Sequence, residues 1–193
     1  MNYILSIFII IIIAGCGYIP PEWINYGGGQ QAITSAYHLS RKKFVFNDLI
    51  DTTVIYVAEN KYVTTDRMGN VLTGLRTKYD YIRFSNSGIL FIRTRMLDYP
   101  TDEIANNMER GQYCFYFIQD STVKIEKYNH DLRNFEYWFG KIENDGDIHF
   151  YKNKGRPWGT YTGKLNYLYR KTPANLTKPI IFPTKDWEGE TWY

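Results

Sequence analysis

Residues 112–128, QYCFYFIQDSTVKIEKY, carry the pattern that most restricts what this chain can become. Two β-prone runs flank Gln119-Asp120-Ser121, and the second alternates apolar and charged residues with the period of two of a strand that has one wet face. The pair reads as a β-hairpin. With Asp120 and Ser121 as a two-residue loop, Ile118 faces Val123, Tyr116 faces Ile125 and Cys114 faces Lys127 on the side expected to be buried. Phe117/Lys124, Phe115/Glu126 and Tyr113/Tyr128 then share the other side. A three-residue loop would move one strand by a residue and exchange its faces.

The same grammar recurs on both sides of this hairpin. TTVIYVA at 52–58 reads as the first strand from its β-branched content. Glu59-Asn60 reads as a turn into a strand at 62–65, and Arg67-Met68-Gly69-Asn70 as a polar turn before a strand at 71–75. In KYDYIRFSNSGILFIRTR at 78–95, a loop at Asn86-Ser87 sets Phe84 against Ile89, Ile82 against Phe91 and Asp80 against Arg93. Pro100-Thr101-Asp102-Glu103 is helix-start chemistry, and a short helix is expected over 101–109, ending before Gly111. Strands follow at 135–143 and 147–152, joined by Asn144-Asp145-Gly146 with Gly146 left-handed and Ile142 opposite Ile148. GRPWGTYTG at 155–163 is a loop. At 164–170 Leu165, Tyr167 and Tyr169 alternate with Asn166, Leu168 and Arg170 as a closing strand, and a helical turn is expected near 36–41.

Successive hairpins with tight connections build a meander, and a meander of about eight strands avoids exposed edges by closing on itself. The expected fold is therefore all-β, an antiparallel up-and-down barrel of about eight or more strands with one short helix. A sandwich is the competing architecture.

The first residues give an address. Residues 1–14 are dominated by Ile, and an apolar core of roughly 10 residues ending in small ones is too short to span a bilayer. Residues 1–15 read as a secretory signal. Ile13-Ala14-Gly15-Cys16 resembles the bacterial lipobox, which implies cleavage before Cys16, diacylation of its thiol and acylation of the new amino terminus. Gly17 in place of Asp points to the outer membrane, and the lack of a following acidic cluster points to its periplasmic leaflet. Residues 16–43 are then the lipidated N-terminus and a Pro- and Gly-rich tether, 44–170 the barrel, and 171–193 an irregular tail that wraps the outside or trails away. Once Cys16 is modified only Cys114 remains, so no internal disulfide is available and the lone thiol reads as a small buried hydrophobe.

The stretches Tyr81-Ile-Arg-Phe-Ser-Asn-Ser-Gly-Ile-Leu-Phe91, Gly111-Gln-Tyr113, Val123-Lys-Ile-Glu126 and Gly140-Lys-Ile-Glu-Asn-Asp-Gly146 resemble the spaced signatures of small lipocalin-like lipoproteins of Bacteroidetes. The resemblance spans residues 52–151 and implies a lipocalin-like barrel of ligand size.

Recognisable catalytic chemistry is missing. His38, His130 and His149 lie far apart with no Cys or carboxylate at metal-ligand spacing, and no Gly-x-Ser-x-Gly, phosphate loop or dinucleotide fingerprint occurs. Neither enzyme activity nor a metal or cofactor is expected. The net charge of +3, spread over mixed-sign segments, is no footprint of nucleic acid. The expected role is binding of a small apolar or amphipathic ligand in the barrel mouth, with Arg83, Arg93 or Arg95 as polar anchors and Tyr81, Tyr113 and Tyr116 along the wall. The alternative is an interaction or structural module that docks on another envelope protein through the 155–163 loop and the 187–193 tail.

Overall fold

The computed structural model describes residues 23–26, 29–32, 34–129, 134–156 and 162–183. The signal-like segment, Cys16, His130, the tip of the 155–163 loop and the tail from 184 onward lie outside them. A small antiparallel pair, β1 (Trp23–Tyr26) and β2 (Gly29–Ala32), comes first. Two single 3-10 turns follow, Thr34–Ala36 and Leu39–Arg41, where a helical turn was expected. The barrel strands are β3 (Val54–Tyr62), β4 (Arg76–Phe84), β5 (Ile89–Met96), β6 (Gln112–Gln119), β7 (Thr122–Asn129), β8 (Asn134–Ile142), β9 (Ile148–Arg156) and β10 (Thr162–Pro173). Each pairs antiparallel with the next, and β10 returns to β3, so the eight strands form a closed barrel. Helix α1 (Asp102–Asn106) lies in the β5–β6 connection, its first turn capped by the Thr101 side chain, which accepts from the Ile104 N–H.

The central hairpin has the expected register, with Ile118↔Val123, Tyr116↔Ile125, Phe117↔Lys124 and Phe115↔Glu126. Asp120 takes the left-handed φ of 54° that the two-residue loop demands, a conformation that Asp tolerates better than most residues. The β8–β9 hairpin is also as expected, with Gly146 at φ 88° and Ile142↔Ile148 paired.

The β4–β5 hairpin differs. Phe84 pairs with Leu90, Ile82 with Ile92 and Tyr81 with Arg93, one residue away from the expected register. The loop takes in a third residue, Gly88, at φ 83°, and the Ser85 N–H closes it on the Ile89 carbonyl. The extra residue sends Leu90 and Ile92 inward and turns Phe91 to the outer wall. Two further expectations fail nearby. Glu59 and Asn60 do not turn the chain, because β3 runs through them to Tyr62, and 71–75 is an exposed loop with a single bridge, Thr65↔Val71, so that β4 starts only at Arg76. Helix α1 stops at Asn106, short of the expected 109.

Alternation places two apolar layers on the two faces of the sheet. Inward residues fill the lumen: Tyr56, Ile82, Phe84, Leu90, Ile92, Tyr116, Val123, Ile125, Ile148 and Phe150 are all buried in one cluster. Their rings meet edge to face, as in Tyr56–Phe84 at 5.3 Å and Phe84–Tyr116 at 4.9 Å. Phe44 closes that end of the barrel against Tyr116, with ring centroids 5.1 Å apart. Burying each such aromatic contributes roughly 2–3 kcal/mol.

The middle of the outer face of β4–β8 is also buried. Ala32, Tyr37 and Leu39 from the N-terminal side, Ala105 from α1, and Ile180 and Phe182 from the tail cover Tyr81, Phe91, Tyr113, Phe115, Tyr128 and Phe135. β10 runs to Pro173, three residues into the expected tail, and Ala174, Leu176, Ile180 and Phe182 then pack on the outside of the barrel. Glu126, expected on a wet face, is fully buried and accepts the Leu39 N–H at 2.6 Å, which pins the N-terminal 3-10 turn to β7.

Candidate functional site

β10 reaches β3 over four residue pairs, from Pro173↔Val54 to Arg170↔Val57, and there their ladder ends. β3 continues to Tyr62 along β4, while β10 begins at Thr162 along β9. A bulge in β10 between Lys164 and Tyr167 accompanies the separation, because an additional residue bends a strand and sharpens its twist. The parting strands leave a lateral cleft of about 750 Å³, lined by Ala58, Asn60, Tyr99, Tyr167, Leu168 and Arg170 among others. Glu59, Lys61 and Lys171 also border it, so cations outnumber anions around an otherwise mixed surface.

The cleft meets the polar half of the lumen. Asn60 donates from Nδ2 to Asp80 Oδ2 at 3.0 Å, and the Arg95 backbone N–H donates to Asp80 Oδ1 at 2.6 Å. Burial raises the Asp80 carboxyl above its ordinary value, with the Arg95 N–H and the charge of Lys127 pulling the other way. Tyr169 is fully buried, and its Oη has no hydrogen-bond partner among the described residues. Burial lifts its phenol well above the usual value, aided by the charge of Asp80.

Deeper in, Glu136 gathers the Trp138 Nε1–H, Asn153 Nδ2 at 2.8 Å and Asn129 Nδ2 at 3.2 Å, with Lys127 Nζ at 3.9 Å. Burial raises this carboxyl, but Lys127 and the three donors outweigh it and the net displacement is downward. The Lys127 ammonium also sits 4.2 Å from the Trp138 ring centroid. The lumen is therefore divided. Aromatics plug the end near Phe44, and a bonded ionic cluster occupies the end that communicates with the cleft.

Of the six residues expected to form the ligand site, four gather on the outer wall and not in the barrel mouth, and the other two lie elsewhere. Tyr81, Arg83 and Tyr113 are buried in the outer wall, Arg93 stands opposite Tyr81 on that same face, Tyr116 lies in the plugged end of the lumen, and Arg95 is exposed with φ 61°. Arg83 instead acts as a staple, donating to the carbonyls of Ala105 (3.2 Å) in α1 and Lys178 in the tail. Tyr81 Oη donates to the Ile104 carbonyl at 3.0 Å. Asp80, expected to pair with Arg93, is bonded to Asn60 and the Arg95 backbone. The cleft residues Asn60 and Tyr167 and the interior group around Glu136 escaped the sequence reading. Their signal was Lys127, a charged residue on the face of the central hairpin that had to be buried.

A closed antiparallel barrel with a plugged lumen and a lateral cleft is the class that these features define. Scans against protein-family models, curated proteins and solved structures return no match to this chain. Among the described residues, no group of three or more His, Cys, Asp or Glu side chains is placed to hold a metal ion.

Proposed function

We propose that this chain is a lipid-anchored lipoprotein of the bacterial cell envelope, held at the outer membrane facing the periplasm, whose lipocalin-like barrel takes up a small amphipathic ligand. The observation that carries the binding reading is the cleft of about 750 Å³ between β3 and β10, a volume within the range of small-molecule sites. Tyr167, Leu168, Tyr99 and Ala58 offer apolar contact, and Lys61 and Arg170 favour an anionic end on the ligand. Asn60, bonded to Asp80, brings a polar group to the inner margin. The ligand enters from the side and not through the lumen, whose far end is occupied by the protein's own rings.

The anchoring part of the reading rests on Ile13-Ala14-Gly15-Cys16, and intact-mass measurement of the protein from its host tests it by the added mass of acyl chains on Cys16. Native mass spectrometry of that material tests the ligand. The expected result is a co-purifying small molecule, lost when Asn166→Trp fills the cleft. A ligand-free spectrum, with no thermal shift from anionic detergents or fatty acids, would overturn the binding reading. A non-enzymatic interaction module is the second reading, favoured by the plugged lumen together with exposed apolar side chains at 63–75.

A further inference from the structure

The β3–β4 connection displays apolar side chains that the fold leaves uncovered. Met68 is 89 % exposed, Leu75 67 %, Val71 64 % and Leu72 62 %, with Val63 beside them. This is a built loop. Asp66 Oδ1 accepts the N–H groups of Met68 (2.8 Å) and Asn70 (2.9 Å), and its Oδ2 accepts Asn70 Nδ2 at 2.9 Å. Gly69 turns at φ 87°, and the Leu72 N–H bonds the Thr64 carbonyl at 2.7 Å. The polar groups of the tip are satisfied internally while its apolar groups face out, the reverse of an ordinary surface turn.

The charges around the loop say what covers it. Exposed Lys61, Arg67 and Arg76 flank the apolar tip, Lys78 sits behind them with its ammonium 3.9 Å from the Tyr62 ring centroid, and Asp66 is the single acidic residue in the stretch 61–78. That carboxylate is already engaged in holding the turn. An apolar tip in a basic collar matches the two layers of an anionic bilayer, acyl chains beneath negatively charged headgroups. We infer that residues 63–75 insert into the surface of an anionic phospholipid membrane and orient this end of the barrel toward it. The inference rests on the loop and the cations beside it, and because Lys61 also borders the cleft the test below leaves that residue unchanged.

A fluorophore on the loop tests it. In the full chain carrying Cys16→Ser and Met68→Cys, an environment-sensitive label on the new thiol reports the polarity at the tip, and the buried Cys114 does not compete. The expected result is a blue shift and brighter emission with phosphatidylcholine vesicles containing phosphatidylglycerol, lost in about 1 M salt as the screening length falls to about 3 Å. Arg67→Gln with Arg76→Gln weakens the response about 25-fold, at roughly fivefold for each charge removed near an anionic surface. The readout sits on the tip, so attachment through the N-terminal segment does not imitate it. A label that stays in water on every vesicle overturns the inference, as does an equal response to vesicles without phosphatidylglycerol. Burial of the label by a protein partner alone overturns it too.

Discussion

Lys171 Nζ lies 2.8 Å from Asp51 Oδ2, joining the segment that enters the first barrel strand to the strand that closes the barrel. Thr53 adds its hydroxyl at 2.6 Å and its N–H at 2.9 Å to Asp51 Oδ1. The Lys171 bond, followed by those from Thr53, lowers the Asp51 carboxyl to about 2. The pair stands beside the short β3–β10 ladder, so its loss is felt where closure is thinnest.

Asp51→Asn is therefore expected to cost roughly 1 kcal/mol near neutral pH, a figure reduced because both side chains are partly in water. A carboxyl with a depressed folded-state value contributes fully above its unfolded value of about 3.9, and loses that contribution as pH falls through about 2. Urea titrations of both proteins across acidic pH should show the gap closing in that window.

Glu136→Leu should be harsher. It removes the acceptor of three donors and leaves Lys127 half-buried without that carboxylate, a change that typically costs about 3 kcal/mol or more. Because the Glu136 carboxyl is held below its ordinary value, its contribution is present above the unfolded value and fades as pH drops. Chemical denaturation of the variant across acidic pH, followed by far-ultraviolet circular dichroism, measures both effects.

Arg83→Met tests the staple. Losing bonds to Ala105 and Lys178 is expected to cost about 2 kcal/mol, since the donor is charged and buried. Hydrogen exchange should quicken in α1 and in 174–182 while the lumen strands keep their protection. Uniform loss of protection would mean that the staple holds the whole barrel.

Gly140→Ala probes how tightly the lumen is filled. A Cβ there would sit 2.8 Å from the Phe150 ring and 3.1 Å from Ile148 Cγ2, and overpacking of this kind costs about 1–3 kcal/mol. Thermal denaturation should record the loss.

Alternation made the strands legible, and where the two faces differed in chemistry it also made register legible. In the central hairpin Val123 and Ile125 oppose Lys124 and Glu126, and the pairing followed. In the β4–β5 hairpin Ile82 and Phe84 point one way and Tyr81 the other, with Leu90 and Ile92 against Phe91. Bulky groups on both faces give period two nothing to choose between, and Gly88 at φ 83° decides the loop. The staple was out of reach because the role of Arg83 is made by two segments distant in sequence. The cleft was out of reach for a related reason, since it arises where the first and last strands part, and only the extra residue in β10 hints at it.

The four-residue ladder between Arg170–Pro173 and Val54–Val57 also has a meaning in time. The edge of β3 stays unmatched until residues 170–173 have been made, and pairings so distant in sequence are slow to form. Until then that edge is a site for a chaperone or for a neighbouring copy. Whichever reaches it before β10 decides between a finished barrel and an aggregate.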